Sequence, residues 1–235
     1  MITPRRSEDR GHANHGWLDA NHTFSFAGYF DPEWIQFGEL RVLNQDRIAP
    51  GMGFGTHGHE DMEIVTYVLE GSLEHRDSMG TGSRLTPGMV QLMSAGSGVT
   101  HSEFNGSREE ELHLLQMWVM PAERGTRPRY EECQFEELEQ VTGRLHLVVS
   151  PDGRDGSLSI GQDARLFAGR FAAGESSTHE LAPGRMAWLH LARGRMRVGD
   201  TELGAGDGAA IREEEALLLR GLEDSELVLW DLPLA

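Results

Sequence analysis

Apolar residues along this chain recur at alternate positions, in short runs that Gly, Pro, Asn or Asp interrupt. The runs include "FGELRVLN", "EIVTYVLEG", "GMVQLMSAG", "ELHLLQMWVMP", "RLHLVVSP", "ARLFAGRFAAG", "RMAWLHLARGRMRVG", "GDGAAIREEEALLLRG" and "SELVLWDLP". A period of two sends successive side chains to opposite faces. Each run therefore predicts a strand, and many in series predict an all-β barrel or sandwich. The pattern leaves room for one helix near the middle, "CQFEELEQV". The preceding "RPRYEE" predicts a linker, because Pro128 cannot donate to a strand ladder. An internal echo runs through the chain: "IVTYVLEGSLEHRDSMG" leads to "RLTPGMVQLMSAG", and "MAWLHLARGRMRVGDTE" leads to "LGAGDGAAIREEE". Two tandem β-barrels, residues 1–135 and 136–235, explain the echo. Chance similarity among Gly-rich strands would also produce a pattern this short.

Composition narrows the function classes. With 235 residues the chain can bury two cores, and 38% hydrophobic residues beside 29 glycines mark a globular, turn-rich protein. A net charge of −17 argues against direct nucleic-acid binding, which needs clustered Lys and Arg. The acidic blocks, such as "EECQFEELE" from Glu131 to Glu139, read as solvated surface. A single cysteine, Cys133, excludes an internal disulfide and a cysteine zinc cluster. No apolar run approaches the ~18 residues that cross a bilayer. The first residues lack the apolar stretch of a signal peptide, so a cytoplasmic protein is expected.

The candidate chemistry lies in two short pairs. "GTHGHEDMEIVTYVLEG" carries His57 and His59, and "SAGSGVTHSEFN" carries His101 and Glu103. Residues two apart on a strand share a face. If the two strands oppose each other inside a barrel, three imidazoles and one carboxylate converge. Such an N3O set suits a divalent first-row ion and leaves room for a substrate. Either pair alone is a weak signal, since exposed histidines are common in loops; it is their conjunction that predicts a metal site. Glu63 is the rival fourth ligand. It shares parity with His57 and His59 but lies ~13 Å further along an extended strand, so it reaches the metal only if the chain curls at "EDM". Glu103 needs no such bend. His12, His15 and His22 fall in an irregular N-terminal segment and are expected at the surface, and His75 is expected either to orient a ligand or to bond within its own turn. His113, His146, His179 and His190 read as structural histidines.

These residues match a known family. "GMGFGTHGHEDME" resembles the first cupin motif and "GSGVTHSEFN" the second. More narrowly, "RGHANHGWLDANHTFSFAGYFDP", "FGELRVLNQDRIAPGMGFGTHGHEDMEIVTYVLEGSLEHRDSMG", "PGMVQLMSAGSGVTHSE" and "LHLLQMWVMP" resemble pirin and its bacterial relatives almost without interruption. Gly96, where many cupins carry proline, agrees with the pirin type. The resemblance implies a bicupin of two double-stranded β-helix (jelly-roll) barrels. It also implies one divalent metal in the first barrel, held by His57, His59, His101 and Glu103, and none in the second. Iron as Fe(II) leads, with Cu, Ni, Mn, Co or Zn as alternatives.

The resemblance carries two expectations about function. Bacterial pirin-like proteins imply quercetin 2,3-dioxygenase activity: O2 opens the heterocyclic ring of a flavonol, carbon monoxide leaves, and Glu103 takes the proton of the 3-hydroxyl. The partners would then be a small flavonol-like aromatic and O2. Eukaryotic pirin implies the alternative, a non-catalytic, metal-binding transcriptional co-regulator that acts through a protein partner.

Overall fold

The computed structural model describes residues 1–234. Its strands are β1 (Ile2–Arg5), β2 (Gly11–Asn14), β3 (Leu18–His22), β4 (Leu40–Ile48), β5 (Gly53–Glu70), β6 (Leu73–Asp77), β7 (Gly82–Leu85), β8 (Met89–Asn105), β9 (Leu112–Val119) and β10 (Arg129–Gln134). They continue as β11 (Arg144–Ser150), β12 (Leu158–Ser159), β13 (Arg165–Phe171), β14 (Ser176–Glu180), β15 (Arg185–Arg193), β16 (Arg195–Val198), β17 (Thr201–Gly204), β18 (Gly208–Ile211), β19 (Ala216–Gly221) and β20 (Ser225–Pro233). The expected helix is a single turn, α1 (Glu137–Gln140). Among the described residues no helix is long and apolar enough to cross a membrane.

In the first unit the strands run β2-β3-β4-β9-β5-β8-β6-β7, with β10 also paired to β8. The two longest strands, β5 with 18 residues and β8 with 17, pair with each other along most of their length. Strands this long must bend to close a barrel. The bends fall at Asp61 (φ 63°) in β5 and at Gly96 (φ 47°) and Gly98 (φ 127°) in β8, with a register shift between His59 and Asp61. Gly96 has a second reason to be glycine: a Cβ there would stand 2.1 Å from the Thr126 carbonyl oxygen. Beyond the bends the strands bury their apolar faces. Ile64, Met93, Ala95 and Val99 form one cluster, and Leu18, Ile48, Val68, Leu73, Leu85, Leu112 and Leu114 form another. Each of these side chains larger than alanine contributes about 1.5–3 kcal/mol by leaving water.

The second unit has one sheet containing β1-β18-β15-β20-β13-β11 and another of β14-β19-β16-β17. A single core joins them: Leu189 and Leu229 of the first meet Met196 and Leu219 of the second. This is the two-sheet closure that alternating apolar residues require.

Three features differ from the sequence reading. "RPRYEE" is not a linker: Arg129–Gln134 is β10, in register with Met89–Ser94. Pro128 precedes it and so needs no ladder bond, which the proline rule permits. The N-terminal segment is not irregular, since it supplies β1 to β3. The chain also does not divide by one cut near 135. Met1–Arg10 belongs with residues 135–157 and 163–235, while Leu158–Gln162 belongs with Gly11–Gln134. The cause of the first exchange is the pairing of β1 with β18, Ile2 opposite Ile211.

Candidate metal centre

β5 and β8 are hydrogen-bonded neighbours, and His57 stands directly opposite His101. The two histidine pairs therefore meet side by side in one sheet, not across a barrel. Alternation then places His59 and Glu103 on the same face, at opposite ends of the His57–His101 pair. The ring centroids lie 4.5 Å (His57–His101), 4.8 Å (His57–His59) and 4.9 Å (His59–His101) apart. One nitrogen from each of these rings lies within 4.8 Å of the others, and His101 and Glu103 form a second such triplet with His75.

The donor atoms suit a cation. The Nδ1 of His57 is 2.8 Å from the Gly55 carbonyl, to which it donates, and this leaves the Nε2 lone pair aimed at His101 Nε2 only 3.1 Å away. Burial, followed by the charge of His57, lowers the pKa of His59 to about 4 against the pull of Glu103. Burial lowers His101 to about 4 as well, although Glu103 raises it. Both rings are thus neutral at physiological pH, the form that ligates metal. Burial would raise the Glu103 pKa. The hydrogen bond from His75, the charges of His101 and His75 and the hydrogen bond from Gln91 overcome it and hold the carboxyl below its ordinary range. Converging imidazole nitrogens beside a buried carboxylate are the donor types that a divalent first-row ion takes.

Glu63 is elsewhere. The chain does turn at Asp61, but the turn carries Glu63 away from the histidines. Its Oε2 accepts from Ser94 Oγ at 2.7 Å and from the Gly161 amide at 3.1 Å. Burial raises its pKa. Glu63 therefore fastens residues 158–162 to the first unit.

Other residues support the cluster, among them His75, which the sequence offered as a ligand-orienting residue, and Gln91 and Gln116, which it did not offer. His75, on β6, sits opposite Glu103 and is fully buried. It stacks on Tyr130 at 4.7 Å and lies 3.5 Å from His101 Nδ1. Burial lowers its pKa, but Glu103 and Asp77 outweigh this and raise it. Gln91 and Gln116 donate to the two Glu103 oxygens at 3.2 and 2.7 Å. His22 is not at the surface: it is buried and bonds Asn44 at 3.0 Å.

A chamber of about 210 Å³ adjoins the cluster, bordered by His57, His59, Glu103, Phe26, Phe54 and Trp118. Phe54, Phe26 and His22 also border an outer cleft of about 670 Å³ that includes Trp17 and Tyr29. Aromatic edges shape both spaces: Phe26 meets Trp118 at 5.4 Å and Trp17 meets Phe54 at 5.3 Å, each edge to face.

Comparison with known proteins agrees with this architecture. The Pirin family model matches residues 4–119, and the model described as quercetinase C-terminal cupin domain matches residues 147–232. The chain is 49% identical to the quercetin 2,3-dioxygenase of Escherichia coli K12, over 99% of each chain. It is 40% identical to a pirin-like protein of Caulobacter vibrioides, over 98% of this chain and 99% of that one. The crystal structure of the bacterial pirin YhhW of Escherichia coli in complex with nickel(II) superposes with a TM-score of 0.94, at 47% identity over the whole of both chains. A chain with this sheet order, this histidine cluster and these relatives belongs to the pirin family of bicupins.

Proposed function

We propose that this protein is a metal-dependent dioxygenase that opens the heterocyclic ring of flavonols such as quercetin with O2 and releases carbon monoxide. The observation that carries this reading is the His57–His59–His101 triplet, which shares a chamber with Glu103 and aromatic side chains. Relatives named quercetin 2,3-dioxygenase support it. His57, His59, His101 and Glu103 would hold one divalent ion, with Fe(II) the first expectation and nickel the metal found in a relative. When bound, the ion supplies Lewis acidity that favours the ionised form of an enolic hydroxyl.

The chain's own residues divide the remaining work. Phe26, Phe54 and Trp118 border the chamber and are the surfaces a planar aromatic would stack on. Glu103 is the carboxylate bordering the chamber and would take the proton of the substrate 3-hydroxyl on a carboxylate oxygen. Its low pKa makes it a weak base as it stands, so proton uptake must accompany loosening of the hydrogen bonds that hold it. The co-regulator alternative has no use for a chamber beside the cluster.

The test is aerobic incubation of metal-loaded protein with quercetin, following loss of the flavonol absorbance and release of CO. Stoichiometric CO supports the reading. No turnover with iron, copper, nickel, manganese or cobalt refutes it.

A further inference from the structure

The Glu103 carboxylate is 1% exposed, and both its oxygens are engaged by neutral donors from two other positions in the sheet. Gln116 Nε2 donates to Oε2 at 2.7 Å and Gln91 Nε2 donates to Oε1 at 3.2 Å. Register brings the two amides together. Thr66 of β5 faces Gln116 of β9 on one side and Gln91 of β8 on the other, so the glutamines flank the strand that carries His57 and His59.

A glutamine amide can turn over and present its oxygen, which would repel a carboxylate. Here each amide is held the other way. Trp118 Nε1 donates to Gln116 Oε1 at 3.2 Å, and an indole can only donate, so Gln116 must keep its NH2 toward Glu103. Tyr130 O–H lies 3.1 Å from Gln91 Oε1, but it also lies 2.6 Å from Glu132 Oε2 and 2.6 Å from Ser83 Oγ. One hydroxyl proton serves one acceptor at a time, so Gln91 is held less firmly than Gln116.

We propose that Gln116 and Gln91 are positioning residues. Locked by Trp118 and Tyr130, they fix the rotation of the Glu103 carboxylate so that its remaining lone pairs are preset toward the imidazole cluster. The proposal rests on Glu103 being a ligand, as in the function proposed above. A carboxylate free to rotate would lose that freedom on binding metal, whereas one already held does not; the glutamines thus contribute affinity without touching the ion. The same arrangement takes up one lone pair on each oxygen and leaves one on each for the ion.

The experiment measures Ni(II) affinity by competition with a chromophoric chelator for the full-length parent, Gln116→Met, Gln91→Met, Glu103→Gln and the double variant Gln116→Met/Glu103→Gln. Methionine keeps the length and removes the donor. We expect Gln116→Met to weaken Ni(II) binding at least tenfold, within the roughly 10–100-fold range of groups that orient metal ligands, and Gln91→Met to weaken it less. The metal-free variants should fold with a moderate loss of stability for the lost donor, and the double variant should bind no more weakly than Glu103→Gln alone, since the glutamine acts through that carboxylate. Should Gln116→Met fail to fold, loss of affinity in folded Gln91→Met carries the test. Affinity within twofold of the parent in both glutamine variants, while Glu103→Gln loses the metal, would overturn the proposal. So would an additive loss in the double variant. Parent-like affinity in Glu103→Gln would instead overturn the ligand assignment on which both readings stand.

Discussion

Lowering the pH from 7 to 5 is an informative perturbation of the cluster. A histidine of pKa 6.5 competes with metal through the factor 1 + 10^(pKa − pH), which rises from ~1.3 at pH 7 to ~33 at pH 5, or ~25-fold. Two such sites together would weaken binding ~600-fold. His59 and His101 are held down to about 4 by burial. At that value each contributes only ~1.1-fold between pH 7 and 5. Proton competition at these two rings is therefore all but absent at pH 5. The assay is an NMR titration of the metal-free protein with labelled imidazoles, assigned through His59→Gln and His101→Gln. Midpoints near 4 are expected. Midpoints within half a unit of 6.5 would refute the claim that burial keeps the rings neutral. The sign for stability follows by linkage: between about 4 and 6.5 the unfolded chain binds more protons at these rings than the folded one. The metal-free protein should therefore lose stability as the pH falls through that window.

Other perturbations separate the roles of individual residues. Glu103→Gln should lower metal content severely, whereas Glu63→Gln should retain the metal and lose less than about 1 kcal/mol of stability, because both donors share one oxygen that the amide carbonyl can supply; metal analysis and denaturant unfolding read the two, and the reverse order would show Glu63 to be the ligand. Gly96→Ala should cost about 2–4 kcal/mol, since it combines a left-handed backbone with a Cβ on the Thr126 carbonyl; a loss under about 1 kcal/mol would mean that the 126 segment gives way freely. Phe54→Ala should raise KM for a flavonol roughly tenfold with kcat little changed, since the ring borders the chamber and the cleft but holds no ligand; a fall in kcat alone would assign it a different part.

The strands and the cluster were legible because both rest on short-range periodicity. His57-x-His59 and His101-x-Glu103 share faces by alternation within their own strands, and the family motifs marked them as one site. What alternation cannot supply is register between strands. That Glu103 faces His75, or that Gln91 and Gln116 flank Thr66, depends on pairings between distant segments. Glu63 shows the opposite hazard: parity with His59 was real in sequence, but the bulge at Asp61 broke the count. His22 looked exposed because it lies among Gly, Asn and Asp, yet its strand is covered. "RPRYEE" looked like a linker because proline was weighed by its presence instead of its place before the first paired residue.

The exchange of segments between the two units bears on how a nascent chain can finish folding. β1 is made first but finds its neighbour only when residues 208–211 leave the ribosome, and Glu63 waits 98 residues for the amide of Gly161. The amino-terminal sheet has all its strands by residue 134, but the Glu63 bond that holds residues 158–162 to it forms only after synthesis has passed into the other unit. Cutting the gene between codons 134 and 135 would deprive each product of a piece and expose the edge of β18, an invitation to aggregation.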